Sequence, residues 1–156
     1  MGLWERLIGS SSAQERAPRH LLSELTALYR EEVRLAQQLR AHADHAPHHA
    51  GSQLLRTAAE EQDRLVGLLR DAMVARGGQE NDETGPIKGG KNHWTRVVHD
   101  LEDNTALLKR YTEQAIYWDP DLPDVVTVLR TLEHGKNRIN AFLRDAALRA
   151  DPHALD

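Results

Sequence analysis

The chain contains no cysteine and very few aromatic residues. Its 156 residues include three Trp, three Tyr and one Phe, so aromatic side chains make up only 4% of the sequence. The absence of cysteine excludes disulfide bonds and thiolate metal sites. Acidic and basic residues number 24 and 20, and the formal charge of -4 gives no electrostatic reason to expect nucleic-acid binding. The length suits one domain with a single core.

Long apolar runs are also missing. No stretch approaches the ~18 consecutive apolar residues typical of a membrane span, and the apolar part of the first residues is too short for a signal peptide. We therefore expect a cytoplasmic protein. Residues 1–9 are nevertheless predicted to form a short amphipathic helix, which we expect either to dock onto a membrane surface or a protein partner or to fold back onto the protein. Its apolar side carries Leu3, Trp4, Leu7 and Ile8.

The six prolines lie at or near the ends of the segments with helical periodicity, at positions 18, 47, 86, 120, 123 and 152. Proline removes a backbone donor and clashes inside a helix, so the blocks between prolines are predicted to be helical. We predict helices over 19–45, 50–76, 92–118 and 122–149. A polar linker over 10–18 is expected to precede a single bundle domain, which spans residues 19–150.

Apolar residues recur with a period of 3.6 in all four predicted helices, and nothing in the sequence favours β structure. The first helix carries Leu21, Leu25, Leu28, Leu35 and Leu39, and the fourth carries Val125, Leu129, Leu132, Ile139 and Leu143. Short connections join the first helix to the second and the third to the fourth. The pattern therefore predicts an all-α, antiparallel four-helix bundle with one long crossover between the second and third helices.

Polar residues interrupt these apolar stripes at related positions. Glu32 and Glu61 lie 29 positions apart, and Asn104 and Glu133 repeat that spacing at an offset of 72. A basic residue follows each downstream glutamate by three positions, which places both side chains on one face of a helix. These basic residues are Arg64 and Lys136.

This layout resembles the ferritin-like superfamily over residues 19–150, and within it the small bacterial bundles associated with stress. In that family two helices each give one Glu and two give a Glu-x-x-His pair, which together hold two iron or manganese ions. The resemblance implies that Glu32, Glu61 and Glu133 occupy ligand positions. At the remaining ligand positions the chain has Arg64, Asn104 and Lys136.

The replacements indicate that positive side chains neutralise the inward carboxylates in place of metal ions. We predict a core network of Glu32, Glu61, Arg64, Asn104, Glu133 and Lys136, without a cofactor, in a non-enzymatic structural or protein-interaction bundle. On this view Glu61→Ala would destabilise the fold by roughly 2–4 kcal/mol.

Three alternatives remain open at this point. A degenerate metal site could survive on Glu32, Glu61 and Glu133, in an iron- or manganese-dependent oxidase or a storage protein. The polar residues could instead face solvent, with an accidental repeat. The bundle could also be an adaptor that docks to a membrane or an assembly through residues 1–9.

Two further features concern surfaces. The cluster His42, His45, His48 and His49 lies where the first helix turns into the second, and could hold zinc, copper or nickel or could form a solvated turn. The first helix also carries a second apolar strip, which predicts either a homodimer packed through that helix or a broad core-facing arc. The strip consists of Leu22, Tyr29, Val33 and Ala36.

Overall fold

A computed structural model describes the backbone of residues 3–156 and the side chains of residues 19–156. Over this range the chain forms four α-helices and no strand. The helices are α1 (Leu3–Asp44), α2 (His49–Ala75), α3 (His93–Trp118) and α4 (Pro123–Arg149). The all-α class and the four helices predicted from apolar periodicity are confirmed, and the arrangement is that of a four-helix bundle.

The start of α1 is where the structure and the sequence prediction differ most. Helical backbone begins at Leu3 and continues through residues 10–18, where we expected a polar linker. The side chains of Leu3, Trp4, Leu7 and Ile8 lie outside those that the structure describes, so their docking role stays a prediction. The other predicted helix ends agree with the structure to within one residue.

Local sequence accounts for several helix ends. The side chain of Asn92 caps α3 by accepting a hydrogen bond from the backbone N–H of Thr95 at 2.8 Å. α4 begins with Pro123, whose missing N–H would have no partner in a first turn. Beyond α2, Gly77 adopts a φ of 87°, a left-handed conformation that glycine adopts without a steric penalty.

The helices pack in two layers around one core. α1 contacts α2 and α3, and α4 contacts the same two helices. The predicted apolar stripes of α1 and α4 are buried throughout, from Leu21 to Leu39 and from Val125 to Leu143. Most of the second strip of α1 is buried as well, because Tyr29, Val33 and Ala36 lie within the same core and Leu22 packs against it. A broad core-facing arc therefore accounts for the strip.

The loop between α2 and α3 runs along the seam between α1 and α3. Tyr29 of α1 donates a hydrogen bond to the carboxylate of Asp82 at 2.7 Å. Further along the loop, the backbone N–H of Lys88 donates to the side-chain oxygen of Gln38 at 2.8 Å, and His99 of α3 contacts the carbonyl oxygen of Gly89. These contacts hold the loop against both helices.

Membrane insertion finds no support in the helices that the structure describes: none has an apolar stretch of the length that a bilayer crossing requires.

Gly135 of α4 packs tightly against α2. A Cβ atom at this position would lie 2.3 Å from Cδ2 and 3.0 Å from Cγ of Leu65, which is fully buried. We expect Gly135→Ala to lower the free energy of unfolding by about 1–3 kcal/mol, because the overpacked leucine cannot move aside. Urea denaturation measures the change.

A second helical glycine provides the matched control. A Cβ atom on Gly67 of α2 would have only the flexible end of Arg70 nearby, at 3.7 Å. Gly67→Ala should therefore stabilise the protein by about 0.5–1 kcal/mol through its helix propensity. Equal effects of the two substitutions would contradict the close packing at Gly135.

Candidate functional site

An ion pair lies at the centre of the bundle. Nζ of Lys136 on α4 is 2.6 Å from Oε2 of Glu32 on α1, and both side chains are 0% exposed. Two opposite charges buried together avoid the large penalty that either one would carry alone. The pair therefore depends on both partners and on the polar groups that surround it.

The other two helices complete the network. Gln62 of α2 donates to the backbone oxygen of Glu32 at 2.9 Å and also to its carboxylate, and accepts from the Lys136 ammonium at 2.8 Å. The hydroxyl of Tyr111 on α3 donates to Oε1 of Glu32 at 3.1 Å. Each of the four helices thus supplies one side chain to a single buried network.

Burial shifts the pKa values of Lys136 and Tyr111. Removal from water lowers the pKa of Lys136, while the negative charge of Glu32 opposes that shift. Burial and the charge of Glu32 raise the pKa of Tyr111 well above its ordinary value. Tyr111 therefore stays a neutral hydrogen-bond donor to the carboxylate.

Asn104 of α3 lies beside this network and is fully buried. Its amide nitrogen donates to the backbone oxygen of Lys136 at 2.9 Å and to the side-chain oxygen of Asn140 at 2.6 Å. Its own side-chain oxygen has no hydrogen-bond partner. The amide consequently fixes the backbone of α4 next to the buried ammonium.

Three members of the predicted network lie at the rim instead. The side chain of Arg64 is 45% exposed and pairs with Glu61, which also contacts the exposed Arg138. The guanidinium of Arg64 is the main cause of a lowered pKa at Glu61. Glu133 is bound by Arg130 and by the hydroxyl of Thr112.

The prediction that Glu61, Arg64 and Glu133 enter the core is therefore wrong. Glu133 lies at the rim because the buried face of α4 passes through its neighbours Leu132 and Lys136. For Glu61 and Arg64 the physical reason is the rotation of α2 about its axis. Its buried face passes through Ala58, Gln62 and Leu65, so Gln62 takes the inner position and its neighbour Glu61 points about 100° away. Gln62 lies four residues after the buried Ala58 and three before the buried Leu65. This helical spacing is a sequence signal that predicts an inward position for Gln62.

The predicted carboxylate metal set is not assembled. Glu32 is fully buried and bound to Lys136, while Glu61 and Glu133 face the rim with their own basic partners. Among the residues whose side chains are described, no group of three or more His, Asp or Glu could hold a metal ion. The donor chemistry at the centre therefore does not fit a di-iron or di-manganese site, because an ammonium already occupies the one inward carboxylate.

A second buried network joins α1 to α3. The carboxylate of Asp100, which is fully buried, contacts Nδ1 of His42 at 2.8 Å and accepts from Nε2 of Gln38 at 2.8 Å. The other ring nitrogen of His42 lies 2.8 Å from the backbone oxygen of Lys88 in the loop. Both ring nitrogens are thus engaged, and neither is free to act as a base or a metal ligand.

Charged residues surround this second network. Arg34 contacts Asp103 at 3.2 Å, and the ammonium of Lys88 pairs with the same carboxylate. Gln38 also donates to Asp103, at 3.1 Å. The carboxylate of Asp103 and the side-chain oxygen of Gln38 hold the loop residue Lys88 against the bundle.

The four predicted surface histidines do not come together. His42 is buried in the second network, whereas His45, His48 and His49 are exposed. His45 contacts a backbone oxygen of its own helix, that of Ala41. The prediction that His42 belongs to a surface cluster is wrong, because the apolar face of α1 carries that residue into the bundle.

Acid should weaken the second network. Burial raises the pKa of Asp103, but hydrogen bonds from Lys88 and Gln38 and the charge of Arg34 outweigh it, so the pKa is lowered overall. The unfolded carboxyl therefore binds protons at a higher pH than the folded one. The stability that Asp103 contributes is complete above its unfolded pKa of about 4 and is lost as the pH falls through its folded pKa.

Denaturation between about pH 5 and pH 2 measures this effect. We expect the free energy of unfolding of Asp103→Asn to fall less steeply with acid than that of the wild type. Glu102→Gln, at an exposed position one residue earlier on α3, should keep the wild-type slope. Identical slopes for all three proteins would contradict the role of Asp103.

Comparisons of the chain with protein-family models, with curated proteins and with solved structures find no match. The ferritin-like resemblance therefore depends on the spacing of the polar residues in the sequence, such as Glu32 with Glu61 and Asn104 with Glu133.

Proposed function

We propose that the chain is a non-enzymatic, ferritin-like bundle that serves as a structural or protein-interaction module. In this proposal an ammonium takes the place of the metal ions at the centre. The observation that carries it is the contact between Lys136 and Glu32, both fully buried, with Gln62 and Tyr111 completing the hydrogen bonds.

The order of contacts between helices supports ferritin-like topology. Along each hairpin, residue numbers rise on one helix as they fall on the other, which is the signature of antiparallel neighbours. The same order relates α2 to α4, so α2 and α3 would run parallel and be joined by the long loop as a crossover. Between α1 and α2, Asp44 pairs with Arg56 and Glu32 with Gln62. Between α3 and α4, Asn104 pairs with Asn140 and Thr112 with Glu133. Between α2 and α4, Gln62 pairs with Lys136 and Arg76 with Asp124.

The chemistry of the buried groups supports a non-enzymatic role. Lys136 is enclosed by its ion pair, so a substrate would have to displace Glu32 to reach the amine. His42 has both ring nitrogens in contact with oxygen atoms. These residues stabilise the bundle where they lie, and neither presents a free nucleophile or base.

Metal analysis tests the proposal. The protein is purified from cells grown with added iron and manganese, and its metal content is measured beside that of a variant without the exposed histidines His48 and His49. We expect both proteins to contain far less than one metal per chain. About two metals per chain in both would overturn the proposal and favour a metal-dependent oxidase or storage protein.

The histidine variant separates the surface from the core. Metal that is present in the wild type and absent from His48→Gln/His49→Gln would belong to the surface histidines, and the core proposal would stand. Metal that persists in the variant would have to lie elsewhere, and its loss in Glu32→Gln would assign it to the centre.

The proposed interaction role includes self-association. At the end of α3, the neighbouring residues Ile116 and Tyr117 are 64% and 62% exposed, so they present adjoining apolar surface to the solvent. We propose that this end of α3 contributes to a homodimer. Light scattering should give twice the mass of one chain for the wild type and a lower mass for Ile116→Ser/Tyr117→Ser; one-chain mass for the wild type would refute the dimer.

The N-terminal segment offers a second docking route. α1 continues from Leu3 into the bundle without a break in its helical backbone. An anchor formed by residues 1–9 would thus be connected directly to the helix that carries Glu32. Vesicle co-sedimentation of the full chain beside Trp4→Ser/Leu7→Ser tests membrane docking, and equal sedimentation of the two proteins would exclude it.

A further inference from the structure

A cleft of about 430 Å³ lies at one end of the bundle, where α2 begins. We call it the α2 cleft. The turn before α2, the first turns of α2 and α3, the end of α4 and the residues after it form its walls. The residues of the α2 cleft that matter below are Ala50, Gly51, His93, Arg149, Asp151 and Asp156.

The first turn of α2 has no charged or side-chain cap. His48 stands at the N-cap position but makes no side-chain hydrogen bond, and the first turn contains no acidic residue. The first N–H groups of a helix have no partner within the helix and carry a partial positive charge. Ala50 and Gly51, which line the cleft, belong to this turn.

His93 is the independent observation that points to a ligand. The residue is 8% exposed, it lines the cleft, and its Nδ1 atom is buried without a hydrogen-bond partner. The opposite edge of its ring is directed at the start of α2. A Cβ atom on Gly51 would lie 2.9 Å from Nε2 and 3.5 Å from Cε1, so the glycine allows the imidazole to reach this turn.

We infer that the α2 cleft binds a small oxyanion, either a phosphate or a carboxylate. The amides of Ala50 and Gly51 would donate to it, and Nε2 of His93, the ring nitrogen nearest to Gly51, would supply a further N–H. The guanidinium of Arg149, which pairs with Asp145 at 2.9 Å, would lie at the mouth. A helix N-terminus together with a basic side chain is a combination that favours oxyanions.

The carboxylates of the cleft already have donors. Asp156 pairs with Arg96 and accepts from the backbone N–H of His93 at 3.1 Å. Asp151 accepts from the backbone N–H of His153 at 2.9 Å. An incoming anion therefore meets carboxylates that are hydrogen-bonded or ion-paired.

Binding should strengthen as the pH falls. Burial and the nearby charge of Arg96 lower the pKa of His93, so the ring is neutral at pH 7 and can gain a proton together with the anion. Several other titratable or charged groups affect the protonation of His93. Those facing the ring or the cleft are Asp100, His42, His48, Arg96, Asp145, Arg149, Asp151 and Asp156.

An amide-resolved NMR titration with sodium phosphate and with sodium acetate tests the inference, with sodium chloride as the reference salt. We expect saturable shifts of the Ala50 and Gly51 amides with a Kd of about 1 mM for at least one oxyanion. Whichever of the two binds more tightly identifies the preferred ligand chemistry. Acetate stays ionised between pH 6 and pH 8. A several-fold tighter binding of acetate at the lower pH therefore results from protonation of the protein and not of the ligand.

Matched variants on α4 provide the control. Arg149→Gln should weaken binding about three- to tenfold, whereas Arg144→Gln, at an exposed position outside the cleft, should leave the Kd unchanged. His93→Gln should remove the pH dependence, and the two arginine variants still test the site if that protein fails to fold. Non-saturable shifts, equal effects of chloride, or equal weakening in both arginine variants would overturn the inference.

Discussion

Lys136→Met is expected to lower the free energy of unfolding by about 3–5 kcal/mol, because it leaves the carboxylate of Glu32 buried without its cation. Gln62 would lose the donor to its side-chain oxygen in the same step. Methionine is close to lysine in length and shape, so loss of charge dominates the effect over loss of packing. Urea denaturation of the wild type and the variant gives the difference.

A double-mutant cycle isolates the ion pair. Glu32→Gln/Lys136→Met removes both charges, and we expect it to be more stable than Lys136→Met alone by about 1–3 kcal/mol. Glu61→Ala serves as the control at the rim, where pairing with exposed arginines should contribute less than about 1 kcal/mol. A loss below about 1 kcal/mol for Lys136→Met would contradict a buried, charged pair.

Asp100→Ala is expected to cost about 2–4 kcal/mol and to loosen the loop between α2 and α3. The substitution removes one oxygen partner from each of His42 and Gln38, which are buried. His42 and Gln38 also contact the backbone of Lys88. Denaturation measures the stability, and amide hydrogen exchange in residues 77–91 measures the release of the loop.

The exposed neighbour Glu102 supplies the control for this prediction. Glu102→Ala changes the charge of α3 by the same amount without touching the network, so its stability should stay within about 0.5 kcal/mol of the wild type. Unchanged exchange of the loop in Asp100→Ala, together with a loss of stability, would show that the network supports the helices and does not hold the loop.

The two buried networks join different sets of structural elements. The central one joins α1, α2, α3 and α4 through a single set of hydrogen bonds, and the other joins α1, α3 and the loop. A buried polar group is costly in any arrangement that leaves it unpaired. Each network therefore disfavours alternative helix pairings.

The helices and part of the central site could be predicted because their signals are local. Glu32 and Lys136 each interrupt an apolar stripe of period 3.6, which assigns them to the inner face of their own helix. Gln62 and Asp100 sit in equivalent positions. Their signal is weaker because α2 and α3 carry apolar residues on neighbouring faces too, such as Leu54 beside the buried Leu55.

The sequence alone determines the helical class, all the helix boundaries except the start of α1, and the inward positions of Glu32 and Lys136. Those properties follow from propensity, proline placement and the repeat of apolar residues along one helix. The packing of the four helices was needed to show that Gln62 and Tyr111 complete the ion pair, that Arg64 lies at the rim and that His42 meets Asp100. Such choices depend on how far each helix is rotated against its neighbours, and one residue changes that rotation by about 100°.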